Sequence, residues 1–268
     1  MLKDITLGQY FPGNSFIHRL DPRTKIVFVL AYIVVLFAAK TVLTYLLLIV
    51  ILALAIAVSK IPFSTMLRGL KPLALIIVFT AFANTFYSRE GRELLSFWIF
   101  TITDSGLLRA LQMILRIMML MLSTFLVTYT TTPMQLTDGL ELLLSPMKKL
   151  KVPVHDFAMM MSIALRFIPT LTEEADKIMS AQKARGADFE TGKLLDRAKA
   201  LLPLLIPLFV SSFRRADDLA TAMEARCYNG GEGRTQMKKL SLKASDGIVM
   251  ASSLILVAGV FSLMRFGI

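Results

Sequence analysis

The chain has 268 residues, 55% of them hydrophobic, a mean hydropathy of +0.64 and a formal charge of +11. Globular domains are nearer about 45–50% apolar even when Gly is counted, which argues against an ordinary soluble domain and for an integral membrane protein. A single cysteine, Cys227, excludes an internal disulfide framework and a multi-cysteine metal site.

Asp21-Pro22-Arg23-Thr24-Lys25 reads as an N-cap, a first-turn proline and anchoring basic residues. It opens the first apolar run, Ile26–Ala39, which is too far from the start to be a cleavable signal peptide. Lys40 and Thr41 separate this run from the second, Val42–Val58, so the two predict a helical hairpin. Further runs follow at Pro72–Tyr87, where Pro72 suits a first helical turn, at Gly106–Tyr129, and at Gly247–Leu263. Arg109 and Arg116 are seven residues apart and share one face of the fourth run; Arg109 can snorkel, whereas Arg116 is deeper and is expected to face protein.

Basic residues set the orientation. His18, Arg19, Arg23 and Lys25 precede the first run, and Lys60, Arg68 and Lys71 lie between the second and third. The intervening loop has only Lys40, and the next has Arg89 and Arg92 offset by Glu90 and Glu93. The N terminus is therefore expected inside, and five spans leave the C terminus outside. The expected fold is an all-α integral membrane protein of about five transmembrane helices plus a cytoplasmic set of long coupling helices. It divides into 1–130 with four membrane helices, 131–245 as the cytoplasmic or interfacial coupling-helix region, and 246–268 as the last membrane helix.

Within 131–245, Thr132-Pro133-Met134-Gln135 has the form of a capping box, which predicts a short helix to about Leu144 and a restart at Ser145-Pro146. Two long helical stretches follow, one from Pro153 to Gly186 that Pro169 is expected to kink, and one from Thr191 to Cys227 that Pro203 and Pro207 are expected to bend or break. Phe157–Leu165 and Leu201–Val210 are apolar but too short to span, and suit either a buried core or the inner membrane interface. Acidic Glu173, Glu174 and Asp176 suit either pairing with nearby bases or solvation of their helix, and solvation is the favoured reading.

Each long stretch ends in Ala-x-x-Ala-Arg, at Ala181–Arg185 and Ala222–Arg226, and the two copies are 41 residues apart. The echo extends upstream through Ala175-Asp176 and Ala216-Asp217, and further back Ile168-Pro169 resembles Ile206-Pro207 with a three-residue shift. Small residues at i, i+3 let another surface approach closely. An arginine there offers a planar fork of donors to carboxylates or carbonyls. Gly186 is a natural helix stop. At the matching place stands Cys227, whose Cβ disfavours positive φ. A lone arginine at a helix end is ordinarily a solvated charge; two matching copies point to two equivalent docking sites on a partner with two similar halves.

These residues carry a resemblance that covers most of the chain. PGNSFIHRLDPRTK near the N terminus, the Thr131-Thr132-Pro133 segment, ALRFIPTLTEEADKIMSAQKARG, and RRADDLATAMEARCYNGG with Gly233-Arg234-Thr235 resemble the transmembrane T component of energy-coupling factor (ECF) transporters. The resemblance implies the coupling subunit of an ABC-type importer for micronutrients, vitamins or metal ions, in a prokaryotic cell membrane. It implies two ABC-type ATPase partners, docked at Ala184, Arg185 and Gly186 and at Ala225, Arg226 and Cys227. It also implies a small membrane S component that binds the cargo, with contacts at Pro72, Met159, Met160, Pro203 and Pro207. Cys227 departs from the usual Gly of that family, but is small enough for docking to survive.

The chain is expected to be non-catalytic and to carry no cofactor, with ATP and Mg held by the partner ATPases. The nearest approach to a P-loop, Gly186 to Gly192-Lys193-Leu194, is one residue too long and lacks the hydroxyl that would ligate magnesium. His18 and His155 suit capping or interface roles rather than a metal site. The Met118–Met121 and Met159–Met161 patches suit either adaptable packing or a surface that accepts several S components. A self-contained transporter or channel is the alternative, but it calls for broken helices or inverted repeats in the membrane part. Nucleic acid is not expected as a partner, because acids interleave with the bases along the cytoplasmic helices.

Overall fold

The computed structural model describes residues 10–39, 41–87, 93–97, 100–187, 189, 194–230 and 240–265. Lys40, Arg89, Glu90, Arg92, Gly192, Lys193 and residues 231–235, on which parts of the loop-charge, P-loop and motif readings fall, lie outside the described residues. The helices are α1 (Phe16–Arg19), α2 (Pro22–Ala38), α3 (Val42–Ser59), α4 (Phe63–Leu70), α5 (Ala74–Tyr87), α6 (Asp104–Thr130), α7 (Pro133–Leu144), α8 (Val154–Ala184), α9 (Leu194–Glu224) and α10 (Ala244–Arg265). Among the described residues the regular structure is helical apart from a short antiparallel hairpin of β1 (Glu93–Phe97) and β2 (Phe100–Thr103) between α5 and α6.

Among the described residues, four helical segments are long and apolar enough to cross a bilayer: Val42–Ser59, Phe63–Phe86, Asp104–Thr130 and Ala244–Ser262. The first expected span, α2, has 17 residues. At 1.5 Å per residue that is about 25 Å, the short end of the spanning range. The third span begins earlier than expected. Pro72 does not open the helix; it sits in a 3₁₀ turn, Lys71–Leu73, that joins α4 to α5 and carries the helical path through. Most apolar surface on these helices points away from the protein, as on α5, where Leu75, Val78, Phe79 and Phe82 are exposed. Water would penalise that surface, whereas hydrocarbon does not.

The chain divides into two compact units, residues 8–139 with 240–268, and residues 140–239 with 1–7. In the first, α5 packs along α6 and α10 packs along α2, around a core that includes Tyr32, Val35, Leu36, Leu48, Met66 and Val260. The buried Tyr32 hydroxyl donates to the Leu48 carbonyl (3.1 Å), which ties α2 to α3. Arg116 faces protein, as its depth suggested. Its guanidinium donates to the Tyr45 hydroxyl (2.8 Å) and the Ala39 carbonyl (3.2 Å), and lies over the Phe37 ring.

One polar knot joins three helix ends. Asp21 caps α2 through the Arg23 N–H (2.9 Å) and pairs with the Arg23 guanidinium. Buried Asp246, in the first turn of α10, accepts from the Asp21 N–H and the Lys243 N–H, both at 2.8 Å. Lys25, 4% exposed, donates to the Thr130 carbonyl (2.9 Å) and the Thr131 hydroxyl (3.1 Å) at the end of α6. The starts of α2 and α10 and the end of α6 therefore lie at one level. Thr132 and Gln135 form the expected capping box, each side chain accepting from the other's N–H, and α7 runs to Leu144 as expected. At Gly139, α7 comes so near the start of α2 that a Cβ would lie 2.9 Å from Pro22 Cβ.

In the second unit, the restart at Ser145-Pro146 is a 3₁₀ turn to Leu150. Pro169 lies inside α8, and Pro203 and Pro207 lie inside α9. Neither helix breaks. Each proline removes one ladder bond, and the rest of the ladder carries the helix through. Phe157, Met160, Met161, Leu202, Leu205, Ile206, Phe209 and Phe213 are exposed, so the short apolar stretches are not a buried core.

Replacing Asp246 with Ala strips the acceptor from two N–H groups and leaves buried Lys25 without that countercharge. A loss of about 3–5 kcal/mol is expected, read as a lower thermal midpoint in mild detergent. Asp246→Asn keeps one acceptor oxygen and is expected to lose less.

Candidate partner-docking site

Both Ala-x-x-Ala-Arg tags end their helix in the same way. In the first, Arg185 is the C-cap of α8 and Gly186 follows at φ +88. The Gly186 N–H donates to the Lys183 carbonyl and the Ala187 N–H to the Gln182 carbonyl, both at 3.0 Å. In the second, the Cys227 N–H donates to the Glu224 carbonyl (2.8 Å) and the Tyr228 N–H to the Met223 carbonyl (3.0 Å). These are the paired 5→2 and 6→1 bonds of a Schellman motif, made twice with the arginine at the cap and the left-handed residue after it. At each end two helix-terminal carbonyls are thereby satisfied without the arginine side chain, which is left exposed.

The left-handed residue is Gly in one copy and Cys in the other. Cys227 has φ +55, the conformation that its Cβ disfavours. A Cβ at Gly186 would meet nothing within 4 Å, so glycine serves the backbone angle there and not a tight fit. All six tag residues, Ala184, Arg185, Gly186, Ala225, Arg226 and Cys227, are exposed.

α8 and α9 pack against each other. Glu174 on α8 accepts from the Arg215 guanidinium on α9 at 2.9 Å. These two residues are themselves 41 apart, the offset of the echo, and each stands 11 residues before its tag arginine. The contact thus joins equivalent points of the two copies, and each tag lies about 16 Å further along its own helix. The Ser211 hydroxyl first, and then Arg215, hold the Glu174 carboxyl below the usual carboxylate range, against the opposing effect of burial. Such a link is complete above the ordinary carboxylate pKa and is lost as pH falls through the lowered one. The expectation that Glu174 merely solvates its helix is corrected: its partner is on the other helix.

The Tyr228 hydroxyl donates to the Met159 sulfur (3.1 Å), which brings the start of α8 to the end of α9. An open groove of ≈ 540 Å³ lies there, lined by Met159, Arg166, Met223, Arg226, Cys227 and Tyr228 among others. His155, at the start of α8, is held by Glu141 of α7 at 2.8 Å. His18 bonds the Ser15 hydroxyl and the Phe11 carbonyl.

Of the residues expected to meet an S component, Met159 lines the groove beside the second tag. Met160, Pro203 and Pro207 are exposed on α8 and α9, and Pro72 is exposed in the turn before α5. Sequence reasoning missed Arg166, Tyr228 and the Glu174–Arg215 link. The 41-residue spacing of Glu174 and Arg215 was the signal that could have found the last.

Residues 13–237 match the sequence model of the CbiQ family, described as cobalt transport protein. The chain is 53% identical over 271 residues to a protein of Acidaminococcus fermentans, covering 100% of this chain and 99% of that one. It is 52% identical to a protein of Clostridium kluyveri, with 96% of each covered, and 47% identical to one of Bacillus subtilis, with 98% and 99% covered. All three are named energy-coupling factor transporter transmembrane protein EcfT. The chain belongs to the CbiQ/EcfT family. It is a membrane-embedded transport protein.

Two outcomes follow from the geometry. Cys227→Gly relieves the left-handed strain and is expected to stabilise the end of α9 by up to about 1 kcal/mol, seen as slower amide exchange there. Glu174→Arg and Arg215→Glu are each expected to loosen the α8–α9 pair, and the combined swap to restore it, as read by hydrogen exchange along both helices.

Proposed function

We propose that this chain is the coupling subunit of an ECF-type ABC importer. Two ABC-type ATPases dock at its tags, one around Arg185 and one around Arg226. A small S component in the membrane binds a vitamin or a metal ion. ATP and Mg stay with the ATPases, and this chain contributes no catalytic group. Closure and opening of the ATPase pair displace the two tags, and α8 and α9 pass that displacement to their apolar segments and on to the S component.

The observation that carries this reading is the repetition of one exposed helix end. Two arginines, each freed by the same internal capping of its helix, stand at equal distances from a shared contact between α8 and α9. That arrangement fits a partner with two similar halves. The exposed apolar residues of α9 around Pro203 and Pro207, including Leu205, Ile206 and Phe209, fit an apolar partner surface as well as lipid.

Orientation belongs to the same proposal. Arg19, Arg23, Lys60, Arg68 and Lys71 collect at helix ends that the positive-inside rule assigns to the cytoplasm. Five spans beginning inside require the start of α2, the end of α6 and the start of α10 on one side. The Lys25 and Asp246 bonds are consistent with that parity.

The test is co-purification. The tagged chain, expressed in its native host and gently solubilised, is expected to bring down two P-loop ATPase chains and a small membrane protein. Arg185→Glu/Arg226→Glu should still insert in the membrane but lose the ATPases, because reversal replaces attraction with repulsion at a carboxylate. Wild type purifying alone, or a variant that keeps both ATPases, would refute it.

A further inference from the structure

The groove beside the second tag carries two cations from different helices. Arg226 comes from the end of α9 and Arg166 from the middle of α8, 60 residues earlier. Its full lining is Met159, Ile163, Arg166, Leu219, Met223 and residues 226–230, so no Asp or Glu is among them. Among the described residues, no hydrogen bond or ion pair engages either guanidinium. Two like charges facing one open groove repel each other and favour an anionic occupant.

We propose that Arg166 is a second anchoring residue of the dock at the second tag, and that the groove between Arg166 and Arg226 takes an acidic segment of the docking ATPase. The inference rests on the coupling reading above and deepens it. Arg166 is no product of the internal echo. The 41-residue offset places Pro207 at the equivalent position in the other copy, and the 38-residue offset of the upstream echo places Leu204 there. The second cation is thus particular to the groove at Arg226.

The rest of the lining chooses the class of occupant. Met159, Ile163, Leu219, Met223 and Tyr228 surround the two arginines with apolar, largely adaptable surface. A peptide segment with carboxylates among apolar side chains satisfies both parts of that lining. An anionic lipid headgroup satisfies the arginines alone, and leaves the thioethers and the tyrosine ring against a hydrated phosphate. Each guanidinium can hold a carboxylate through two parallel bonds.

The experiment uses the full complex from the native host. Wild type, Arg166→Glu, Arg166→Lys and Arg214→Glu are purified side by side over a salt series, and their ATPase content and transport are measured. Arg214 is exposed on α9 and outside the groove lining, so it controls for the change in net charge. Arg166→Glu is expected to weaken retention of the ATPases by roughly tenfold or more and to lower the salt at which they dissociate. Arg166→Lys should fall between, because a point charge replaces a planar fork. Arg214→Glu should match wild type.

Retention by Arg166→Glu equal to that of Arg214→Glu at every salt concentration overturns the inference and leaves the coupling reading standing. If wild type brings down no ATPase, both fall. Vesicles containing phosphatidylglycerol supply the other arm. If Arg166→Glu loses vesicle binding but keeps its ATPases, the groove is a lipid site and the inference is overturned.

Discussion

Everything in the membrane unit depends on keeping charge inside it satisfied. A lysine and an aspartate at a helix start are costly to remove from water, and the cost is offset only when every donor and acceptor finds a partner. Lys25 and Asp246 find their partners in backbone from elsewhere: the last carbonyl of α6 for one, the N–H groups of Asp21 and Lys243 for the other. The same bonds decide which helix ends stand side by side. Three helices that hydrocarbon alone would let slide are held in register at one end, and Arg116 holds α6 to α2 and α3 further along. Counted along α6, Arg116 and Thr130 are 14 residues apart, about 21 Å. Polar clamps at the middle and at the end of α6 thus set the frame, and apolar packing fills it.

The second unit works by a different rule. Its helices bury little and expose much, so its shape is set by helix continuity and by a few cross-links: the Glu174–Arg215 pair, the Tyr228–Met159 bond and the His155–Glu141 pair. Exposed ion pairs contribute little stability individually. Their value here is geometric. A link between equivalent points of two copies joins the two helices at the same distance from each tag, which suits the paired movement proposed above.

What could be read from the sequence was mostly local. The capping box at Thr132 and Gln135, the cap at Asp21 and the end of α7 at Leu144 all depend on residues within a few positions of each other. The inward orientation of Arg116 followed from its depth in an apolar run, although nothing in the run named Tyr45 as its partner. The knot was not legible, since Asp21 and Asp246 are 225 residues apart and Asp21 reads alone as an ordinary helix cap. A break at Pro203 and Pro207 does not occur, because a helix can lose single ladder bonds and continue. Glu174 was under-read, because its partner lies across a helix pair. The groove was illegible for the same reason: Arg166 and Arg226 belong to helices whose antiparallel approach no local pattern expresses.

The shape of α9 ties these observations to transport. Its exposed apolar residues stop near Phe213, and its tag begins at Ala222, with charged Arg214, Arg215, Asp217 and Asp218 between. From Phe209 to Glu224, where α9 ends two residues before Arg226, is 15 residues, about 22 Å of continuous helix. An apolar face and a cationic tip on one helix want different surroundings, and that separation lets both be satisfied at once. A helix does not stretch under small loads, so in the coupling proposed above a displacement of the tip would be carried as rotation or sliding of the apolar face. The helix has to end cleanly for that, with its last carbonyls already bonded. Otherwise those carbonyls would compete with the partner for the arginine. This makes the backbone turn after Arg226, and not the identity of the residue that forms it, the part that the tag needs; Cys227 takes the left-handed turn in place of glycine and leaves the arginine as free as its counterpart on α8.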